Sequence, residues 1–491
     1  MLKLNFPFHP ILFGLYPILF LFSNNLVETS LNELIRPIFF TLSIILSVYF
    51  IIHITEKDIF RWGIILSYGI FLFYSFGIIL NKLGPLQIGD LLLDRFPQLI
   101  VLIYFIVFCC GFYLITKMHT YTDITKILNF ISIILIVISV GNIVINYSLF
   151  IPVNPGKNFS PVLNNNSNPD IYYIILDGYA GEETLRKLYD YDNTPFLSNL
   201  SQRGFYIVKN STSNYQTSML SLASSLNSSY LDENLIDLDW PNRNDPKGKE
   251  LVNLIENGYS IKFLKSQGYK FIFLKSGFLL TDFNKNADYT LNKYIFTEFE
   301  NKLISDTPIP IFFYENTFSS LSGFFDRMRI QNSFEELSGV PTISGKKFVF
   351  AHIIAPHPPY VFGKYGEAIS VSQNRSCEIQ KAAYLNQLIY INNLTEKTIE
   401  KIISQSKKPP IIIIQSDHGS KFQEYCEINY DDKFLEAMPN IIAYYLPEYK
   451  GIHLKNNMTP VNTFRIIFNG YFNQTMPILD DKIYYNNTWY S

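Results

Sequence analysis

Five apolar stretches, at residues 6–22, 37–54, 62–80, 97–115 and 127–145, crowd the first third of this 491-residue chain. A bilayer core of about 30 Å is crossed by about 20 apolar residues in helix, so the pattern predicts about five membrane spans. Charge follows the same division. Residues 1–150 hold 8 of the 40 Lys/Arg and 7 of the 42 Asp/Glu, which leaves most of the charge to the later part. The first stretch is interrupted by Pro7, Pro10 and Pro17, and its length also fits a signal-peptide core. No small-residue cleavage site follows it, and further spans come after.

With a cytoplasmic N-terminus, Lys3, Lys57, Arg61, Lys117 and Lys126 fall inside, against Arg36, Lys82 and Arg95 outside. That bias has the expected direction, and an odd number of spans then exports the rest of the chain. Transporters carry ionisable groups within their spans, whereas here the main example is His53, near a span end. The reading is a multi-pass membrane anchor rather than a pore. A formal net charge of −2 and the absence of a long basic run exclude a nucleic-acid partner.

Residues 151–169 read IPVNPGKNFSPVLNNNSNP, rich in Pro, Asn and Ser without periodicity, and are taken as a linker. The division is therefore a transmembrane domain at 1–150, a linker at 151–169 and a globular domain, expected to be the catalytic one, at 170–491. In the last part short β-branched and aromatic runs alternate with helical patterns: strands at 171–176, 269–274, 347–354, 411–415 and 440–446, helices at 182–203 and 379–404. Such alternation predicts an α/β fold with a mainly parallel sheet flanked by helices. Ligands in these folds bind beyond the carboxyl ends of the strands.

Four motifs lie where that rule points. IYYIILDGYAG closes an apolar run with Asp177 and Gly178, and IIIIQSDHG closes another with Asp417, His418 and Gly419. An Asp there can simply open a turn or cap a helix. A carboxylate beside an imidazole at a strand end, however, offers two ligands for a divalent ion. In NSTSNYQTSMLSLASSLNSSYL a polar loop passes into a helix, and Thr217 or Ser218 is either an N-cap or a nucleophile facing the helix dipole. In FVFAHIIAPHPPYVF, His352 and His357 sit beside Tyr360, where imidazoles suit phosphate contacts, leaving-group protonation or a second metal.

These motifs in this order, behind about five spans, resemble the alkaline phosphatase and sulfatase superfamily, in particular its membrane-anchored lipoteichoic acid synthases and lipid A phosphoethanolamine transferases. The resemblance implies one divalent metal ion (Mn, Zn, Mg or Ca) held by Asp177, the nucleophile hydroxyl, Asp417 and His418. Ser218 or Thr217 takes the nucleophile's place: spacing from SLASSLN favours Ser218, the family's usual threonine favours Thr217. His357, His352 and Tyr360 correspond to the substrate-binding side. No C-x-P-S-R sequence occurs, so the formylglycine nucleophile of true sulfatases has no precursor. A second metal would need a further Asp and His set, and after His418 only His453 remains.

The resemblance implies a metal-dependent transferase that moves a phospholipid head group, of phosphoethanolamine or phosphoglycerol type, onto an envelope glycan or lipid outside the cytoplasm. Two alternatives stand beside it: a metal-dependent phosphate- or sulfate-ester hydrolase, and a non-enzymatic membrane scaffold. Cys377 and Cys426, the only cysteines after the spans, are expected to pair if that compartment is oxidising. Cys109 and Cys110 lie in an apolar run, and no CxxC motif occurs.

Overall fold

The computed structural model describes the whole chain except residues 1–5, 26–28, 30, 56–57, 84–86, 89–90, 93–96, 149–167, 237–245, 292–296, 310–317, 370–375, 421–429, 450–453, 486–487 and 491. Most of the expected linker, Cys426 and His453 lie outside the described residues. The chain divides into two units, one of Met1–Pro155 with Phe296–Ser319, the other of Gly156–Ile295 with Ser320–Ser491.

The first unit contains α1 (His9–Asn24), α2 (Ile35–Thr55), α3 (Ile59–Leu83), α4 (Pro97–Thr116) and α5 (Tyr121–Ser148). Three of these, within α2, α3 and α5, are long and apolar enough to cross a membrane, and α1 and α4 contribute shorter apolar helices. Their outer faces are apolar, with Phe39, Ile44 and Phe50 of α2 all well exposed. That inversion suits a hydrocarbon solvent. The polar groups are instead turned inward. His9 places Nδ1 2.6 Å from Ser67 Oγ, and its amide donates to Asn129 Oδ1 at 2.9 Å. Tyr49 donates to Pro7 O, so α2, α3 and α5 all grip the start of α1. Gly14 lets α1 approach α2 closely, since a Cβ there would lie 2.3 Å from Ile45 Cδ1. The first apolar stretch is thus an integral helix of the bundle, not a loosely attached leader.

The same unit takes in α11 (Glu298–Ser305), which opens with a Thr297–Glu300 capping box. Arg36 chelates Glu300 through Nε and Nη2, and Phe299 and Leu303 pack with Ile18, Phe22 and Leu34.

In the second unit the strands are β1 (Ile171–Leu176), β2 (Tyr206–Ile207), β3 (Lys270–Leu274), β4 (Tyr289–Leu291), β5 (Lys347–Ile353), β6 (Ile411–Gln415) and β7 (Ile442–Tyr445). They form one seven-stranded sheet in the order β2-β7-β6-β1-β5-β3-β4. From β6 to β4 neighbouring strands pair in parallel, while β7 runs antiparallel to β6 and β2 antiparallel to β7. Central β1 aligns Ile174 with Ala351 on one side and with Ile414 on the other.

Every residue of β1, β5 and β6 is buried, as expected of strands covered on both faces. Ile171, Tyr173 and Ile175 face a layer that includes α8 (Ser218–Asn227), α9 (Pro246–Glu256), α10 (Tyr259–Ser266) and α15 (Thr463–Phe472). Tyr172, Ile174 and Leu176 face α6 (Glu182–Tyr189), α7 (Thr194–Gln202), α12 (Phe318–Gly339) and α13 (Cys377–Gln405). Each fully buried Ile or Leu contributes about 1.5–3 kcal/mol of transfer free energy, so the sheet is a firm platform. The single helix expected at 182–203 is split in two. Asp190 ends α6 in the left-handed region (φ 50°), and Pro195 fits only the first turn of the helix that follows.

Candidate metal centre

Three adjacent parallel strands, β6, β1 and β5, end at one place, and their loops carry the candidate ligands. After β1 the chain turns at Gly178, whose φ of 69° favours glycine. Asp177 N donates to Ile353 O at 2.9 Å, and His357 N donates to Asp177 O at 3.0 Å, so the β1 and β5 loops are fastened together. After β6, Ser416 donates to His418 O at 2.7 Å and receives Tyr179 N at 2.9 Å. Gly419 is hemmed in: a Cβ there would lie 1.9 Å from Glu436 O of α14 (Tyr430–Ala437).

Four side chains then converge. His352 Nε2 is 3.2 Å from Asp177 Oδ2 and 3.9 Å from Asp417 Oδ2. His418 Nε2 is 3.4 Å from Asp177 Oδ1 and 3.5 Å from Asp417 Oδ2. All four residues are at most 2 % exposed. Asp177 Oδ1, Asp417 Oδ2 and His352 Nε2 have no hydrogen-bond partner, an expensive state for buried polar atoms unless a cation satisfies them. Two overlapping groups, Asp177–His352–Asp417 and Asp177–His357–His418, bring one ligand atom per residue within 4.8 Å of each other. A set of carboxylate oxygens and imidazole nitrogens fits Zn or Mn, and oxygen-preferring ions less closely.

The histidine tautomer follows from partner chemistry. His418 Nδ1 lies 2.8 Å from Gly419 O, and a carbonyl only accepts, so Nδ1 carries a proton and Nε2 is the atom turned into the site. Nε2 lies 3.2 Å from Ser218 Oγ, at the N-terminus of α8. Thr217 precedes it as the helix cap residue, yet makes no side-chain capping bond, and its Oγ1 is buried without a hydrogen-bond partner. Its usual capping role is therefore unfilled. Burial alone would raise the Asp177 carboxyl, but the imidazoles of His357, His352 and His418 outweigh it and hold that group well below the usual carboxylate range.

The structure separates residues that the sequence treats alike. His357 is half-buried at the rim, its ring 5.9 Å from that of His418, with Nδ1 donating to Pro358 O at 2.7 Å. His352 instead faces the two carboxylates from inside, its Nδ1 2.8 Å from Thr281 Oγ1. Tyr360 is buried in the core, its ring 6.2 Å from that of Tyr384. Thr281 was not singled out from sequence, because nothing in FLLTDF marks it. The buried contacts of Tyr384 to Gly178 and Ala180 were equally invisible, for they depend on a helix residue 206 and 204 positions away. Cys377 is disulfide-bonded and Cys109 and Cys110 are free, whereas the expected partner Cys426 falls outside the described residues.

A family model described as Sulfatase matches residues 169–474, more than half of the chain. Solved structures are similar at low identity. The C-terminal periplasmic domain of EptC from Escherichia coli in complex with Zn is 14% identical, with a TM-score of 0.41, and the match covers 63% of this chain and 84% of that one. The soluble domain of lipooligosaccharide phosphoethanolamine transferase A from Neisseria meningitidis is 14% identical, with a TM-score of 0.39 and coverages of 62% and 88%. The lipoteichoic acid synthase LtaP from Listeria monocytogenes is 12% identical, with a TM-score of 0.40 and coverages of 61% and 71%. No curated protein matches the chain.

Proposed function

The chain belongs to the sulfatase family, and on that premise we propose that it is a membrane-bound, metal-dependent transferase whose catalytic unit lies outside the cytoplasm. Its donor is a phospholipid, from which it moves a head group of phosphoethanolamine or phosphoglycerol type. Its acceptor is an envelope glycan or lipid. The observation that carries the proposal is the convergence of buried, unpartnered carboxylate and imidazole atoms beside a hydroxyl at a helix N-terminus.

Asp177, Asp417, His418 and the hydroxyl would hold one divalent ion, with His352 facing the same space from Thr281. When bound, such an ion supplies positive charge that lowers the hydroxyl pKa and offsets charge on the phosphoryl oxygens. The hydroxyl oxygen of Ser218, or of its neighbour Thr217, forms a bond to phosphorus as the bond from phosphorus to the diacylglycerol oxygen breaks. Because His418 Nε2, 3.2 Å from Ser218 Oγ, would be held as a ligand, the proton of the hydroxyl passes to water. His357, at the rim, returns a proton to the departing alkoxide. In the second half the acceptor hydroxyl attacks phosphorus, and the side-chain oxygen leaves with its proton restored. The N-terminus of α8 presents backbone amides and the positive end of the helix dipole to the anionic phosphoryl group throughout.

The test is to incubate the purified full chain with labelled phosphatidylethanolamine or phosphatidylglycerol, then search the 214–225 peptide for a head-group adduct by mass spectrometry. Ser218→Ala and Thr217→Ala are compared in the same assay. An adduct lost in one variant supports the transferase and names the nucleophile. Head-group release to water, with no adduct and full activity in both variants, would favour the hydrolase and overturn this reading.

A further inference from the structure

One helix, on the face of the sheet opposite α8, reaches both turns that carry candidate ligands. On α13, Tyr384, Gln387 and Asn392 are all buried, and Tyr384 and Gln387, three positions apart, share a helix face. The Tyr384 hydroxyl donates to Gly178 O and accepts from Ala180 N, both at 2.9 Å, closing the turn directly after Asp177. Gly178 N in turn donates to Asp417 Oδ1 at 3.3 Å, so the same turn also orients the second carboxylate. Asn392 supports the next residue by accepting from Tyr179 OH at 2.6 Å.

Gln387 serves the other turn. Its Oε1 accepts from Val361 N and Phe362 N at 2.8 and 3.3 Å. Its Nε2 faces Pro356 O, His357 O and Pro359 O at 3.2, 3.1 and 3.4 Å. An amide has two donors and two lone pairs, and here all of them are turned on the segment that bears His357.

We infer that Tyr384 and Gln387 are positioning residues for the reaction: Tyr384 sets the carboxylate ligands Asp177 and Asp417, and Gln387 sets His357. The inference rests on the function proposed above. Both side chains are 0 % exposed, so they act through the turns and not by touching substrate. Partners that orient a ligand shell commonly alter metal affinity or activity by about 10–100-fold when removed.

The experiment titrates metal-stripped full chain with Mn2+ or Zn2+ alone, for wild type, Asp417→Asn, Tyr384→Phe and Gln387→Met, alongside melting temperature and kcat and KM of head-group transfer. Tyr384→Phe keeps the ring that packs 4.8 Å from Tyr189, so the fold is expected to stand while ion affinity falls about 10–100-fold. Gln387→Met is expected to keep ion affinity and lower kcat about tenfold or more with KM little changed. Wild-type affinity in Tyr384→Phe together with wild-type kcat in Gln387→Met would overturn the inference. Variants that only lower the melting temperature would do the same. If Asp417→Asn loses the ion and Tyr384→Phe does not, the role given to Tyr384 fails while the proposed function stands. If wild-type protein binds neither ion, the proposed function falls and takes this inference with it.

Discussion

His9 in the membrane unit and His352 in the catalytic unit look alike one ring at a time. Both are buried, at 0 and 1 % exposed. Each sets Nδ1 against a hydroxyl, Ser67 at 2.6 Å and Thr281 at 2.8 Å, and each leaves Nε2 without a hydrogen-bond partner. Their surroundings separate them. Around His352 stand Asp177 and Asp417, whereas the ring of His9 meets a serine hydroxyl, and Asn129 Oδ1 accepts from its backbone amide. Among the described residues both groups able to hold a metal lie in the catalytic unit. A buried imidazole is therefore a fastener by default. It becomes a ligand where carboxylates share its space and need a cation to justify their burial.

The contrast breaks most sharply at Asp417. Asp417→Asn keeps the volume and removes the charge, so bound divalent metal should disappear from elemental analysis and transfer should fall by about 10²–10³-fold or more, with the circular dichroism spectrum retained. Full metal content in that variant would put His352 back in the class of His9. Next in size is Gly419→Ala, whose Cβ would meet Glu436 O at 1.9 Å. Moving that backbone should cost about 1–3 kcal/mol in thermal unfolding and disturb His418 with it. On the membrane side, Ser67→Ala removes the hydroxyl partner of His9 and should weaken the bundle by about 0.6–1.7 kcal/mol, with metal content and kcat unchanged. An effect on transfer there would show that the membrane histidine does more than hold helices. The smallest effect is expected at the solvent-exposed pair of Lys187 and Glu183 on α6, where Lys187→Ala should leave the melting temperature where it was.

The two regions were unequally legible in the sequence. Asp177, Asp417 and His418 stood out because each ends a run too apolar to be anything but a covered strand, and a parallel sheet presents such ends together. The membrane helices were legible for a related reason, since their length and apolarity report the bilayer. His352 and His357, five residues apart, could not be told apart by spacing. Register decides it: His352 still lies in β5, opposite Ile175 and on the face that packs α8, while His357 has left the strand. The antiparallel direction of β7 was hidden too, because a short apolar run reads the same in either sense. Nor did composition show which of Thr217 and Ser218 leads. In space they differ: Thr217 is the cap residue with its Oγ1 unpartnered, while Ser218 meets His418.

The segment Phe296–Ser319 groups with the first unit although it is encoded in the middle of the second. Gly77 N donates to Asp306 O at 2.9 Å, and a Cβ on Gly77 would strike Asp306 Cα at 2.5 Å, so helix α3 and this segment are fitted to each other, as Arg36 is to Glu300. In terms of inheritance, the two halves of the chain are not free to be shuffled. A chimera that joins these membrane helices to a relative's catalytic unit at residue 170 would leave Ile18, Phe22 and Leu34 without Phe299 and Leu303. Substitutions at positions 36 and 300 should consequently travel together between related chains, and position 77 should stay glycine.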